Sequence, residues 1–198
     1  MEQNHPYEFE LRSSWALDAE VGELLRVFDD PMSLTNWWST VFMRGEITSE
    51  GDDQNVGMTA RFFTKGLLPH TFQFTARIDR IEDADAILIR TWGDFDGHCD
   101  IVLSDSAGCA LIHIRWQVIP HQPYIRRLIR LFRPIFVANH RWAMRRGREG
   151  LQQEVLRRRH QQDTTAGIGF RKPTFPHNLA FVQRRFSWSR ESINWATR

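Results

Sequence analysis

Cysteine is scarce in this chain, with two in 198 residues, at positions 99 and 109. If residues 97–103 and 109–119 pair as a hairpin about a turn at 104–108, Cys99 falls opposite His113 and not Cys109. No disulfide is then expected, and two reduced thiols read as an intracellular protein. Lysine is just as scarce. Of 26 basic residues 24 are arginine, which points to a GC-rich bacterial genome more than to a function. No run approaches 18 apolar residues, so no membrane-spanning helix is expected. The opening residues Met-Glu-Gln-Asn-His-Pro have no basic region followed by an apolar one, so no secretory signal is expected either. The eight histidines form no HExxH and no Cys-His ligand spacing, so neither a metal nor a cofactor is expected. The stretch from Gly93 to Gly97 has no following helix and no Lys-Ser/Thr, which argues against a phosphate loop. There is no internal repeat.

What is present is apolar and aromatic. Hydrophobic residues make up 41% and aromatic residues 12%, with 14 Phe and 8 Trp, enough for a core and too much for global disorder. The length suits one domain with a tail to spare. Charge is divided unevenly. Through Pro120 there are 9 Lys+Arg against 20 Asp+Glu; from His121 onward there are 17 against 4. The near-neutral total of +2 hides an acidic first part and a basic second part. A basic face of that kind invites an anionic partner: a membrane, a nucleic acid or the chain's own acidic half.

The hydrophobic pattern changes where the charge does. Tyr7, Phe9, Leu11, Trp15 and Leu17 sit at alternate positions, the pattern of a strand with one buried face. Asp18 reads as an N-cap for a helix carrying Val21, Leu24, Leu25 and Phe28. Asp30-Pro31 breaks that helix, and a second short one is expected near 33–38. Strands follow at 41–48, 57–64, from 71, at 87–95, 97–103 and 109–119, joined by short turns in meander order. In the strand from Thr71, Phe72, Phe74, Ala76 and Ile78 face inward. Short turns imply an antiparallel sheet. Pro123 opens a long helical region, kinked or divided by Pro134 near Arg133. Beyond it Phe136, His140, Ala143, Gly147, Gly150 and Leu151 share one stripe, and Arg141, Arg145 and Arg148 another. Two glycines on a buried stripe imply close approach to the sheet, since each costs about 1 kcal/mol relative to Ala. After residue 163 Gly, Thr and Pro are dense and periodicity fades. Residues 163–198 read as a basic, mobile tail, and residues 1–162 as one domain.

Certain residues carry a resemblance. They are Trp37-Trp38, Gly66-Leu67-Leu68-Pro69, Gly93-Asp94-Phe95-Asp96-Gly97, Arg115-Trp116, and on the final helix Asn139-His140, Met144, Gly147 and Gly150-Leu151. The helix pattern Asn-His-x3-Met-x2-Gly-x2-Gly-Leu is the most specific of these. With them the chain resembles the SRPBCC superfamily of START, Bet v 1-like and polyketide cyclase proteins, and more narrowly its bacterial polyketide cyclase/dehydrase-like branch. The resemblance implies an α+β helix-grip fold: a curved seven-stranded antiparallel sheet around a long C-terminal helix, with two short helices after the first strand. It also implies a hydrophobic-ligand cavity between sheet and helix, but no particular reaction.

His140 is the leading candidate for chemistry. It stands on the glycine stripe beside Asn139, and histidine suits proton transfer near neutral pH. A buried neutral histidine bonded to a strand fits the same position. Arg61, Arg90 and Arg115 lie in strands. Around Arg90 and Arg115 both strand faces are partly apolar, so the inward face stays open. An inward arginine would hold a carboxylate or enolate; an outward one would be solvated or paired with Asp. Trp37, Trp38, Trp92, Trp116 and Trp142 suit either a pocket wall or a core, and Met144 joins them by the resemblance. In YIRRLIRLFRPIF, residues 124–136, apolar side chains interleave with Arg126, Arg127, Arg130 and Arg133. That pattern suits contact with an anionic membrane or packing on the domain itself. Arg157-Arg158-Arg159 and Arg184-Arg185 extend the basic footprint. No nucleic-acid reading module accompanies it, so nucleic acid is disfavoured as a partner.

The expected function is binding of a hydrophobic small molecule (a lipid, isoprenoid, quinone or polyketide) by a cytoplasmic protein with peripheral membrane contact. The alternative is an aromatase/cyclase or dehydratase using His140 as acid and base. The third is a docking module for a membrane or partner, without a ligand.

Overall fold

The fold comes from a computed structural model, which describes residues 9–163 apart from 69, 83–84 and 122. For residue 9 and residues 123–132, 162 and 163 it describes the backbone alone. Strand β1 (Phe9–Leu17) leads into helix α1 (Val21–Phe28), a 3-10 turn (Pro31–Ser33) and the short helix α2 (Leu34–Trp37). Six strands follow: β2 (Phe42–Ser49), β3 (Thr59–Lys65), β4 (Thr71–Glu82), β5 (Ala86–Gly93), β6 (Phe95–Ser106) and β7 (Cys109–Pro120). Helix α3 (Pro123–Asp163) ends the fold. It runs through Pro134 as one helix, so the proline does not divide it.

All seven strands form one antiparallel sheet in the order β1-β7-β6-β5-β4-β3-β2. Six strands pair with their chain neighbours. β1 joins the last strand along its whole length, from Phe9 opposite Val118 to Leu17 opposite Ala110. Between β6 and β7 the loop is two residues, Ala107 and Gly108, both at positive φ (44° and 87°), the mirror-image turn that suits a twisted hairpin. This tight turn sets Ser106 opposite Cys109 and Cys99 opposite Trp116, not opposite His113 as the longer turn had implied. Both thiols are free.

Two local expectations change. The cap of α1 is Glu20, not Asp18. Glu20 and Glu23 form a reciprocal capping box, and the backbone of Asp18 is instead held by the side chain of Gln152 on α3. The glycine stripe of α3 meets mainly the tryptophan pair. A Cβ on Gly147 would come within 2.5 Å of the Trp38 ring and 2.8 Å of Trp15, and one on Gly150 would lie 1.9 Å from the Trp37 carbonyl oxygen. Helix and α2 thus touch backbone to backbone, and any side chain there would force them apart.

The interior has two parts. One is tightly packed: Trp15, Leu17, Leu24, Val27, Trp37, Leu103, Ile112, Leu151 and Val155 join β1, α1, α2 and the C-terminal half of α3. Leu24, Ile112 and Leu151 have no exposed surface, and each such side chain contributes roughly 1.5–3 kcal/mol by burial. The other part is a shell of Val41, Phe42, Ala60, Phe62, Phe74 and Phe95, with Trp38, Trp116 and Ala143 against it.

Ion pairs fasten the far end of α3. Arg159 makes a bidentate pair with Glu23 at 2.6 and 2.7 Å. Glu154 is 2% exposed and takes both Arg157 and Arg158 at 2.6–2.7 Å. These three arginines belong to the fold's internal pairing and do not serve as an open basic footprint. Among the described residues no helix is long and apolar enough to cross a membrane. Arg184, Arg185 and the rest of the tail lie outside the described residues.

Candidate functional site

The aromatic shell encloses a cavity of about 350 Å³ between the sheet and α3, within the ordinary size for small-molecule pockets. Strand alternation builds its walls. Ala60, Phe62 and Thr64 of β3, Phe72, Phe74, Ala76 and Ile78 of β4, and Ile87, Ile89 and Thr91 of β5 all point into it. The inward row read along β4 is therefore the one found. β7 adds Ile112, Ile114, Trp116 and Val118, and α3 covers the space with Phe136, Asn139, His140, Ala143 and Met144. The rings meet mostly edge to face: Phe42 on Phe62 at 5.2 Å and 85°, Phe95 on Trp116 at 5.6 Å and 74°, the favoured geometry for aromatic pairs.

The nine ligand-site candidates divide. Trp37, Trp38, Trp116, Asn139, His140 and Met144 line the cavity. Arg61, Arg90 and Trp92 do not. With Ala60 and Phe62 inward, Arg61 must face out, and with Ile89 and Thr91 inward so must Arg90 and Trp92. Arg90 is 67% exposed and pairs with Asp79 at 2.7 Å. Arg115 likewise faces out, on Asp100 at 2.6 Å. Of the membrane-contact candidates, Arg133 is exposed. The side chains of Arg126, Arg127 and Arg130 lie outside the described residues.

His140 is half-buried under the helix. Its Nε2 lies 3.2 Å from Ser13 Oγ of β1, and its ring meets Trp116 edge to face at 6.4 Å. Desolvation lowers its pKa from 6.5 to about 4, because the imidazolium loses water and gains no anion. At neutral pH it is therefore an uncharged hydrogen-bonding group, not one poised near pH 7. Asn139 acts partly as a strut, its Oδ1 accepting the Leu68 N–H at 3.1 Å, so it ties α3 to the β3–β4 loop. Trp37 Nε1 donates to Ser33 Oγ, and Trp38 Nε1 to the Ala143 carbonyl.

Sequence reading missed three lining residues, Lys65, Thr91 and Cys99, and the contact of Ser13 with His140. Lys65 is 5% exposed and faces the cavity end of β3; burial lowers its pKa. Its signal was one of only two lysines in an arginine-rich chain, just before Gly66-Leu67-Leu68. Burial pushes the Cys99 thiol up to about 12, with the charge of Asp100 adding to the effect, so it is no nucleophile. A second concavity, of about 550 Å³, is bounded by Arg12, Arg80, Glu82, Asp100 and Arg115. Its charges pair with near neighbours. No group of three or more potential metal ligands occurs among the described residues.

This architecture recurs in solved structures. An aromatase/cyclase from Streptomyces sp. R1128 superposes with a TM-score of 0.61, at 12% identity over 76% of this chain and 95% of that one. The chain has the helix-grip fold of START and Bet v 1-like proteins. A START superfamily protein from Mycobacterium smegmatis gives 0.60 at 11% identity, over 78% of this chain and 99% of that one. A norcoclaurine synthase from Thalictrum, solved with a transition-state analogue, gives 0.56 at 13%, over 79% and 99%. No family model and no curated protein sequence matches the chain. At such identities the helix-grip likeness is one of fold.

Proposed function

We propose that this protein binds a hydrophobic small molecule, a lipid, isoprenoid, quinone or polyketide, in the cavity between sheet and helix. The observation that carries this reading is the cavity itself, walled by Phe42, Phe62, Phe74, Phe95, Trp38 and Trp116 in place of a filled core. The solved structures of this fold named above include an aromatase/cyclase and a norcoclaurine synthase, which supports the same reading. Affinity would come from burial. At about 25 cal/mol per Å² a few hundred Å² of apolar ligand surface gains several kcal/mol before ordering costs.

We place residues 1–162 in the binding domain and residues 163–198 in a basic tail. The arginine row Arg126, Arg127, Arg130 and Arg133 would touch an anionic membrane surface while the ligand loads, each arginine adding roughly 1 kcal/mol. The protein would work in the cytoplasm. The second reading, an aromatase/cyclase or dehydratase, draws on His140 at the cavity wall, with Ser13 Oγ 3.2 Å from its Nε2. It is weaker on two counts. At pH 7 His140 is an uncharged imidazole and, with its pKa lowered to about 4, a weak base, and Arg61 and Arg90 are turned away from any enolate.

Native mass spectrometry of freshly purified protein, with organic extraction of what co-purifies, tests the reading. A stoichiometric lipid-like adduct is expected. A clean apo mass, together with no uptake from a panel of apolar compounds, would refute it.

A further inference from the structure

Two polar atoms in the cavity wall are buried and have no hydrogen-bond partner among the described residues: Trp116 Nε1 and Thr91 Oγ1. Both residues line the cavity, and Thr91 is 3% exposed. The contrast with their neighbours is informative. The indole N–H groups of Trp37 and Trp38 each have a protein acceptor. Thr64, on the same wall, donates to the Phe72 carbonyl at 3.4 Å. Leaving a buried donor unpaired costs about 1–3 kcal/mol, and native interiors rarely carry such a cost without a use.

The two groups belong to one region of the sheet. Thr91 stands opposite Gly97 on β6, and Gly97 stands opposite Val118 on β7. Trp116 is two residues from Val118 on the same strand and the same face. A Cβ on Gly97 would lie 1.9 Å from the Gln117 carbonyl oxygen, so β6 and β7 approach closely between them. The surroundings are aromatic: Trp116 meets Phe95 at 5.6 Å, Phe74 at 6.3 Å and His140 at 6.4 Å, all edge to face.

The chemistry of the two groups restricts what they can receive. An indole N–H only donates, and a threonine hydroxyl donates or accepts. Both are neutral, and Lys65, the lining cation, stands on β3, four strands from β7 in the sheet order. A carboxylate or phosphate at the Trp116 end would lie buried with no counter-charge, which is costly. A ketone or quinone oxygen would accept from both donors with no charge to desolvate, and the rings around it suit a flat, unsaturated skeleton.

We infer that the cavity takes a neutral, ring-bearing carbonyl compound, with its carbonyl oxygen received by Trp116 Nε1–H and Thr91 Oγ–H. This rests on the small-molecule reading above and narrows it. Pure hydrocarbons and charged-headgroup lipids fit that end of the cavity less well.

The test uses the full chain and two rigid probes, fluorene and 9-fluorenone, which differ by one CH2 replaced with C=O. Equilibrium dialysis gives both affinities for the wild type, Trp116→Phe and Thr91→Val. The ketone is expected to bind wild type about five- to tenfold tighter, the worth of a net hydrogen bond or two. Each variant should bring that ratio toward one, and because the ratio is taken within one variant, a change in the wall that weakens both probes alike cancels. Thr91→Val keeps shape and volume, so it stands as the control should Trp116→Phe loosen the wall. Equal binding of both probes by wild type, or a ratio that survives both substitutions, overturns the carbonyl assignment and leaves the hydrophobic cavity intact. Binding of neither probe overturns this inference, and the cavity reading falls with it only when the panel of apolar compounds is refused as well.

Discussion

Acid should destabilise this protein before its carboxylates begin to titrate, and His140 is the reason. The imidazole has a pKa of about 4 in the fold against 6.5 when free. Between those values the unfolded chain binds a proton that the native state refuses, so stability rises with pH across that window and falls as pH drops through it. Each pH unit of such a difference is worth about 1.36 kcal/mol, which gives a ceiling of about 3 kcal/mol, most of it expressed by pH 4.5. The assay is urea unfolding followed by tryptophan fluorescence at pH 7.5, 6.5, 5.5 and 4.5, for wild type and His140→Gln. Glutamine keeps a hydrogen bond to Ser13 in reach and removes the titration. Wild type should lose about 2.5 kcal/mol more than the variant between pH 7.5 and 4.5. Parallel curves within about 0.5 kcal/mol, or an NMR titration placing His140 near 6.5, would refute the reasoning. They would also return His140 to the pool of groups able to exchange protons at neutral pH.

Two further outcomes follow from contacts elsewhere. Gly150→Ala puts a methyl group where the Trp37 carbonyl oxygen lies 1.9 Å away. It should destabilise by about 3 kcal/mol despite alanine's better helix propensity, and Gly22→Ala, on the exposed face of α1 with no contact closer than 3.8 Å, should be neutral or stabilising in the same melting assay. Glu23 has its pKa lowered to about 2, chiefly by the hydrogen bonds from Arg159. Its contribution is present above the unfolded value near 4.5 and is lost as pH falls toward 2. Glu23→Gln should therefore be less stable at pH 7 and show a shallower loss between pH 4.5 and 2.5; an unchanged slope would count against the pair.

Much of this fold was legible in chain order. Alternation in residues 11–17 and 72–78 marks the buried faces because strand geometry has a period of two and one face is dry. The Gly147 and Gly150-Leu151 stripe was equally readable, but what it touches was not. Glycine signals close approach without naming the partner, and here the partners are the Trp38 and Trp15 rings for Gly147 and the backbone of Trp37 for Gly150. Register failed at Cys99 because a two-residue turn with Ala107 at positive φ is not an obvious turn sequence. The site was harder. In β5 both rows contain apolar residues, so nothing local told Arg90 and Trp92 from Ile89 and Thr91. Lys65 and Thr91 escaped notice because their meaning lies in what faces them across the cavity, and Arg159 looked like free charge because its partner Glu23 is 136 residues distant; Glu154, three and four residues before Arg157 and Arg158, was in helical reach.

Helix α3 lives in two mechanical regimes. From Gly147 onward it is bolted down by backbone contact with α2, by Leu151 and Val155, and by the arginine pairs. From Phe136 to Met144 it spans a void, moored by Asn139 to the loop at Leu68 and by Trp38 to the Ala143 carbonyl. A beam clamped at one end and bridging a hollow near the other yields first over the hollow. Entry of the proposed guest would then ask for bending of the roof and not for melting of the clamp. Residence time and melting temperature become separately tunable quantities, and amide exchange along this single helix should fall into a slow block and a fast one, divided near Met144.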